Sequence, residues 1–388
     1  MRVCIICNEY PPAPHGGIGS MSQDLAEGLA AAGHALTVLG VAIRLENKAI
    51  VDAPQNGVRV VRLPRAPLWW PQPWRDRWHH WRLHRHALKL HRAQPFDLIE
   101  CPDYQGWMAG GPPRRTPMLV RINGANFFFD TELQREPNRL EHRYEYDCLR
   151  RATHLAASSR YAARRHLELA GLEERPCEVI PNCVDASFFC PDESVPVDPG
   201  LILYVNSLNP KKGIEQLLDA ANDLLPRRAG TRLVVVGGDN MRAMKGQYLE
   251  RLRARVAPEL RGRVEFAGRL PREQVRDWMR RAAVCVFPSH METFGIAPAE
   301  AMAVARPVIY SRLGPGPELI EDGVTGLLCD PHQPAEIARL IERVLDDPAM
   351  GARLGAAGRE KILHFCDTRH WLQTNADFYA RCIAHPPE

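Results

Sequence analysis

A rhythm of short apolar runs and helical stretches limits what this chain can become. The runs "RVCIICN", "ALTVLG", "VRVVRL", "DLIEC", "MLVRIN", "THLAASS" and "CEVIPN" come first, and "LILYVNS", "RLVVVGG", "RVEFAG", "VCVFPS", "RPVIYS" and "TGLLCD" follow. Each is short, apolar and bounded by turn formers, as a strand buried on both faces should be. Helical patterns such as "MSQDLAEGLAAAG" lie between most of them. Parallel neighbours need such crossovers, so the alternation predicts α/β units: parallel sheets with helices on both faces. The rhythm breaks at "CPDESVPVDPG", a stretch rich in proline and acid that reads as a linker. A chain of 388 residues is long for one core and comfortable for two. The expected division is a first unit over 1–190, a linker over 191–200 and a second unit over 201–365. A last helical segment, "TRHWLQTNADFYARCIAH", closes the chain within 366–388.

Charge and cysteine content narrow the class. The formal charge of +4 is too mild to argue for nucleic acid. The 11 cysteines are odd in number and scattered. Cys4 and Cys7 form a C-x-x-C, but within a strand, residues three apart point to opposite sides, so buried thiols are expected rather than a metal or redox pair. "MRVCIICNEYPP" turns polar too early for a signal peptide, and no 18-residue apolar run is present. A reducing cytoplasm is the expected compartment. One segment stands apart. "WWPQPWRDRWHHWRLHRHALKLHR", residues 69–92, holds five of the eight tryptophans, six Lys/Arg and one acid. As a helix after Pro73 it places Trp74, Trp78, Trp81 and Leu88 near one face. Two readings stay open: a basic face for an anionic membrane surface, or a surface helix whose tryptophans pack on their own domain.

Four stretches suggest chemistry. In "SHMETFGIAPAEAMA", residues 289–303, a strand's carboxyl end leads into a helix with Pro298 in its first turn. Ligands bind at such ends in open α/β sheets, and free N–H groups near Thr293 to Ala297 suit a phosphate or a sugar hydroxyl. Glu292 in the loop and Glu300, expected in the first helical turn, would flank one crevice, as suits a nucleotide-sugar. Equally, Glu300 could cap its helix while Glu292 is solvated. "GGIGS" opens the first helix, but Ser22 stands where a dinucleotide fingerprint needs glycine, and "TVLG" carries no ribose-binding acid; this counts against a nicotinamide dehydrogenase. Lys211 and Lys212 precede Gly213 at a helix start, where lysine could neutralise a diphosphate or simply be solvated. "VVVGGDN" puts Gly237 and Gly238 at a strand end, where a tight turn alone would explain them.

In their order, "HGGIGSMSQDLAEGLAAAGHALTVL", "VIPNCVDASFF", "LYVNSLNPKKGIEQLLDA", "LVVVGG", "VEFAGRL", "VCVFPSHMETFGIAPAEAMAVARPVIYS" and "GPELIEDGVTGLLCD" resemble the retaining glycosyltransferases of family 4. The resemblance implies the GT-B architecture: two facing Rossmann-like domains, with the last helix returning to the first. It implies acceptor binding mainly by the first domain and nucleotide-sugar binding mainly by the second. Glu292 would hold hydroxyls of the donor sugar, and the backbone of Thr293, Phe294, Gly295 and Ile296 the sugar and diphosphate. Glu300 would bind the ribose, Lys212 and Lys211 the diphosphate, and the turn at Arg269 and Leu270 would lie beside the base. Gly16, Gly17, Gly238 and Ser207 would complete the donor site. Lys212, Glu292 and Asn123 would serve catalysis, and Arg121, Asn123 and Asn126 the acceptor. No metal-dependent Asp-x-Asp stands where it would be needed, so neither metal nor cofactor is expected. Retention would come from attack on the face the phosphate leaves.

Two departures bear on this. The family usually has Gly-Arg where this chain has Asn206-Ser207, and often His-Gly where it has Asn123-Gly124. Asparagine cannot take a proton at neutral pH, but the leaving phosphate can. A uridine diphosphate donor is the leaning, with guanosine and adenosine forms open. The acceptor could be a saccharide, a lipid-linked saccharide or a soluble metabolite. A cytoplasmic enzyme, free or peripheral at the inner face of the membrane, is expected, and its oligomeric state is open. A weakly active binding subunit and a sugar-nucleotide epimerase are the alternatives.

Overall fold

The amino-terminal apolar run forms β1 (Arg2–Ile6), which is buried from Val3 onward. In the computed structural model, residues 1–13, 16–42, 49–239 and 247–386 are described. Pro14 and His15 of the glycine-rich loop lie outside them. The chain divides into two units, Met1–Asn182 with Arg369–Glu388, and Cys183–Thr368.

In the first unit β1 is followed by α1 (Gly17–Ala31), β2 (Ala35–Val41), β3 (Val51–Gln55), β4 (Val58–Leu63), α2 (Gln72–Ala93) and β5 (Leu98–Pro102). Then come β6 (Met118–Ile122), α3 (Asn126–Glu132), α4 (Arg139–Arg151), β7 (His154–Ala157), α5 (Arg160–Ala170) and β8 (Glu178–Val179). One eight-stranded sheet has the order β3-β4-β2-β1-β5-β6-β7-β8. Every pair in it is parallel except β3 with β4. β5 and β6 are buried at every position, which is why their sequence runs apolar instead of alternating, apart from the buried pair Glu100 and Arg121. β3 is absent from the apolar series because it is exposed at the edge and contains Pro54. Its signal was the Asn-Gly pair after it: Asn56 and Gly57 both take positive φ, 49° and 81°, and turn the chain into β4 as a hairpin.

The second unit contains β9 (Asp198–Val205), α6 (Ile214–Leu224), β10 (Arg232–Val236), α7 (Gln247–Arg255), β11 (Val264–Gly268), α8 (Arg272–Arg281) and β12 (Ala282–Phe287). It continues with α9 (Ile296–Ala303), β13 (Val308–Ser311), α10 (Gly316–Leu319), β14 (Leu327–Cys329), α11 (Pro334–Asp346) and α12 (Pro348–Phe365). Its six-stranded sheet runs β11-β10-β9-β12-β13-β14, with every pair parallel. Helix faces such as Ile214, Leu217, Leu218 and Leu224 of α6 cover it, at the spacing that brings one stripe inward.

The division falls earlier than the composition of 190–200 suggested. Val184 pairs with Asp367, and Val184 and Phe189 are buried in the core of the second unit. The acids of the proline-rich stretch are tied as well: Asp192 lies 3.4 Å from Arg280, and Asp198, already in β9, lies 3.0 Å from Arg232. The last helix, α13 (Thr368–Ala384), belongs to the first unit from Arg369 on and buries Trp371, Phe378, Tyr379 and Cys382. Its Leu372 fits a notch in α1 that exists because residue 28 is glycine; a Cβ there would meet Leu372 at 2.5 Å. Cys4 and Cys7 are buried thiols without a disulfide, pushed up to about 12 and about 11 by burial.

Candidate active site

Strand order in the second unit reverses between β9 and β12. Loops leaving neighbouring strands in opposite directions open a crevice at their carboxyl ends. The loop after β9 carries Ser207, Lys211 and Lys212; the loop after β12 carries Glu292 and Thr293. Their backbones are joined, since Lys211 O accepts from His290 N at 2.8 Å and from Met291 N at 3.4 Å. Across this seam Lys212 Nζ meets Glu292 Oε1 at 2.5 Å, each side chain 14% exposed. Ser289 Oγ donates to the same carboxylate oxygen at 3.3 Å. The pair thus holds a cation and an anion at the crevice, mostly out of water, where their fields are screened little.

Two glycines make the approach feasible. Gly213, with φ 69°, ends the 3-10 turn Pro210–Lys212 and starts α6; a Cβ there would fall 1.7 Å from Pro288 O. Gly295, with φ 100°, turns the Glu292 loop into α9 beneath Tyr310, whose hydroxyl donates to Phe294 O at 3.2 Å. Thr293, Phe294 and Gly295 therefore lead directly into the helix, which Ile296 opens. Glu300 does not lie in the first turn. The helix begins at Ile296, two residues before Pro298, which carries Glu300 into the second turn. Gly238 closes the crevice's other flank, its carbonyl accepting from Leu208 N at 2.9 Å, and Leu270 follows the end of β11. Ser207 Oγ accepts from Asn209 Nδ2 at 3.1 Å.

Residues near this crevice that the sequence reading passed over include Asn209, Gln216 and His290. His290 Nε2 lies 2.9 Å from Gln216 Oε1, and burial lowers the imidazole below its ordinary range. Asn209 Oδ1 and His290 Nδ1 are buried and have no hydrogen-bond partner among the described residues. Their signal was position alone, since both follow strand ends. Among the described residues no group of three His, Cys, Asp or Glu side chains is placed to hold a metal ion.

The expected acceptor residues lie in the first unit, where strand order reverses between β1 and β5. Gly16 and Gly17 stand at the start of α1, with Gly16 N donating to Glu9 Oε2 at 3.0 Å. Arg121, expected beside the acceptor, is instead found buried within the sheet. Its guanidinium is buried in a bidentate pair with Glu100, at 2.8 and 2.9 Å, and it donates to Asn375 Oδ1 at 2.7 Å. Tyr379 donates at 2.6 Å to Glu100 Oε2, the oxygen that also accepts from Arg121 Nη2. Buried and bonded through Nε and Nη2, this arginine ties α13 to the sheet.

Asn123 lies in the loop after β6 and Asn126 opens α3, and two buried acids shape that connection. Asp103 accepts from the backbone N–H of Tyr104, Asn123 and Gly124, at 2.9, 2.9 and 3.2 Å. Glu145, reaching from α4, accepts from the N–H of Gln105, Asn126 and Phe127, each at 2.9 Å, and from Asn126 Nδ2 at 3.0 Å. Burial pushes Asp103 up to about 6 and Glu145 up to about 7 against the pull of these donors. His166 lies 3.4 Å from Asp103 and is kept neutral, lowered to about 3 by burial. Asp103 could have been found from its place just after β5; Glu145 carried no local signal inside a charged helix.

Residues 15–188 match the model described as Glycosyltransferase Family 4, and residues 189–361 that of Glycosyl transferases group 1. A D-inositol 3-phosphate glycosyltransferase of Acidothermus cellulolyticus is 33% identical over 243 residues, which are 59% of this chain and 53% of the relative. The match spans about half of that protein's length. Sucrose-phosphate synthase from Thermosynechococcus elongatus has a TM-score of 0.84 at 24% identity, covering 99% of both chains. Anabaena HepE in complex with UDP and glucose has a TM-score of 0.75 at 20% identity, covering 98% of this chain and 99% of that one. These likenesses show the GT-B fold. With both models matched in order along the chain, the protein belongs to the family 4 glycosyltransferases.

Proposed function

We propose that this glycosyltransferase moves a sugar, with retention, from a uridine diphosphate sugar to a hydroxyl of a saccharide or related acceptor. The observation that carries the proposal is the Lys212–Glu292 pair at the crevice between β9 and β12. Lysine has three donors, and one is used on Glu292; the others can face a diphosphate. Glu292 has a second oxygen for a hydroxyl of the donor sugar. Glu300 binds the ribose, and Leu270 lies against the base. Thr293 to Ile296 offer N–H groups at the start of α9 for the sugar and diphosphate. The likeness to a protein solved with UDP and glucose supports the choice of donor.

In this scheme the acceptor oxygen attacks the anomeric carbon on the side from which the diphosphate departs. The bond between that carbon and the diphosphate oxygen breaks, and the departing phosphate takes the acceptor's proton. Lys212 stabilises the negative charge that develops, so fixed positive charge serves where other enzymes use a divalent ion. Asn123 and Asn126 are proposed to meet the acceptor by hydrogen bonding, with Asp103 and Glu145 fixing their backbone.

A thermal-shift series over uridine, guanosine and adenosine diphosphate sugars, followed by measurement of nucleoside diphosphate release with saccharide acceptors, tests the proposal. A uridine diphosphate sugar should raise the unfolding temperature, and release should depend on acceptor. Conversion of the sugar without release would point to an epimerase, and binding without turnover to a binding subunit.

A further inference from the structure

Segment 69–92 takes no part in the sites above. Its helix α2 buries His79, Leu83, Ala87 and Leu90. His79 Nε2, on that inner face, accepts from Ala66 N at 2.9 Å. The opposite face is a single exposed stripe at the same spacing: Trp74, Arg77, Trp81, Arg85, Lys89 and Arg92. Trp70 and Trp78 are half-buried and meet edge to face, so only part of the tryptophan set packs on the domain, and Trp69, Trp74 and Trp81 do not. Trp69 is 83% exposed, Trp74 65%, Trp81 55% and Leu68 51%. The Arg85 guanidinium lies 5.2 Å from the centre of the Trp81 ring. Beside the stripe opens a recess of about 420 Å³ that includes Arg77, Trp81, Trp107, Arg143, Tyr144 and the acid Asp147, 3.7 Å from Arg143.

Charge is concentrated here. Residues 69–92 hold six Lys/Arg and one acid, a net +5. That leaves 44 Lys/Arg against 45 acids, a net −1, for the rest of the chain. The one acid, Asp76, lies off the stripe and accepts from Gln72 Nε2 at 2.7 Å.

We propose that this face docks the protein on an anionic lipid bilayer, with α2 lying along the surface. Indoles prefer the interfacial region, where the ring is buried and the N–H stays wet. Arginine and lysine between them reach anionic head groups, and the recess between Arg77 and Arg143 has room for one head-group phosphate. An acidic protein would match the charge, but it would need its own shape to cover Leu68, Trp69, Trp74 and Trp81. A bilayer needs no such complementarity.

The test is co-sedimentation of the full chain with phosphatidylcholine vesicles, with and without phosphatidylglycerol. Binding should require the anionic lipid and weaken with salt, and lipids brominated on their chains should quench tryptophan fluorescence. Each basic residue near such a surface is worth roughly fivefold in affinity. Replacing Arg77, Arg85, Lys89 and Arg92 together by alanine should cost at least about a hundredfold. Trp69→Ala/Trp74→Ala/Trp81→Ala should abolish the quenching, with the unfolding temperature kept because these side chains are exposed. A wild type left in the supernatant with anionic vesicles would overturn the proposal. So would equal losses on replacing Arg227 and Arg253 of the second unit. Binding to soluble polyglutamate as tight as to vesicles, untouched by the tryptophan replacements, would assign the face to an acidic protein instead.

Discussion

Arg121→Met should unfold the first unit far more readily than its modest change in volume suggests. Arg121 and Glu100 are 2% and 3% exposed, so water cannot compensate for a lost partner. Removing the guanidinium leaves the Glu100 carboxylate buried with only the Tyr379 hydroxyl, a loss of about 3–5 kcal/mol for an unpaired buried charge. Asn375 Oδ1 loses its donor as well, adding about 1 kcal/mol. With a urea slope of about 3 kcal/mol/M, the midpoint should fall by roughly 1–2 M. Glu100→Gln in the same chain removes the stranded charge while keeping an acceptor for Tyr379. The double variant should therefore recover at least about half of the loss. Tryptophan fluorescence follows this unit almost alone, because Trp278 is the one tryptophan of the eight in the second unit. A double variant as unstable as Arg121→Met, or a single variant within about 1 kcal/mol of wild type, would refute the assignment of Arg121 as a buried clamp.

Three further outcomes are expected. Lys212→Ala and Glu292→Gln should each lower turnover about 10²–10³-fold with the fold intact, measured as nucleoside diphosphate release and circular dichroism; near wild-type turnover in either would remove the pair from the site. Glu300→Gln should weaken nucleotide binding by calorimetry more than it slows turnover, and unchanged affinity would leave Glu300 without a role in the donor site. Glu145 is raised from 4.5 to about 7, so between those values the folded protein keeps a proton that the unfolded chain has lost. Its contribution to stability therefore falls as pH rises through that window, by about 3 kcal/mol in all. The difference in unfolding free energy between wild type and Glu145→Gln should shift by that amount between pH 4.5 and pH 7.5, and a constant difference would show that Glu145 does not titrate there.

What could be read from the sequence follows from what is local. The strands buried on both faces announced themselves as unbroken apolar runs, and Lys212 and Glu292 stood at strand ends, where a ligand site can be expected. That the two touch was not legible, because 80 residues separate them and only the strand order β9-β12 brings them together. Arg121 misled for the related reason that it too ends a strand. What claims it lies far off in the chain: Glu100 on the neighbouring strand and Asn375 on the last helix, 254 residues away. Glu145 was hidden because an acid in a charged helix looks solvated until the loop it serves is folded against it. On α2 the spacing showed a helix but not which face is turned inward, and the buried set His79, Leu83, Ala87 and Leu90 decided that.

The central claim is retaining transfer from a nucleoside diphosphate sugar, with Lys212 facing the departing diphosphate. Proton NMR of the glycoside formed from uridine diphosphate α-glucose tests it most directly, through the coupling constant of the new anomeric proton. The account predicts an α-linked product whose formation collapses in Lys212→Ala. A β-linked product, or an α-linked product formed at the wild-type rate by that variant, would contradict it.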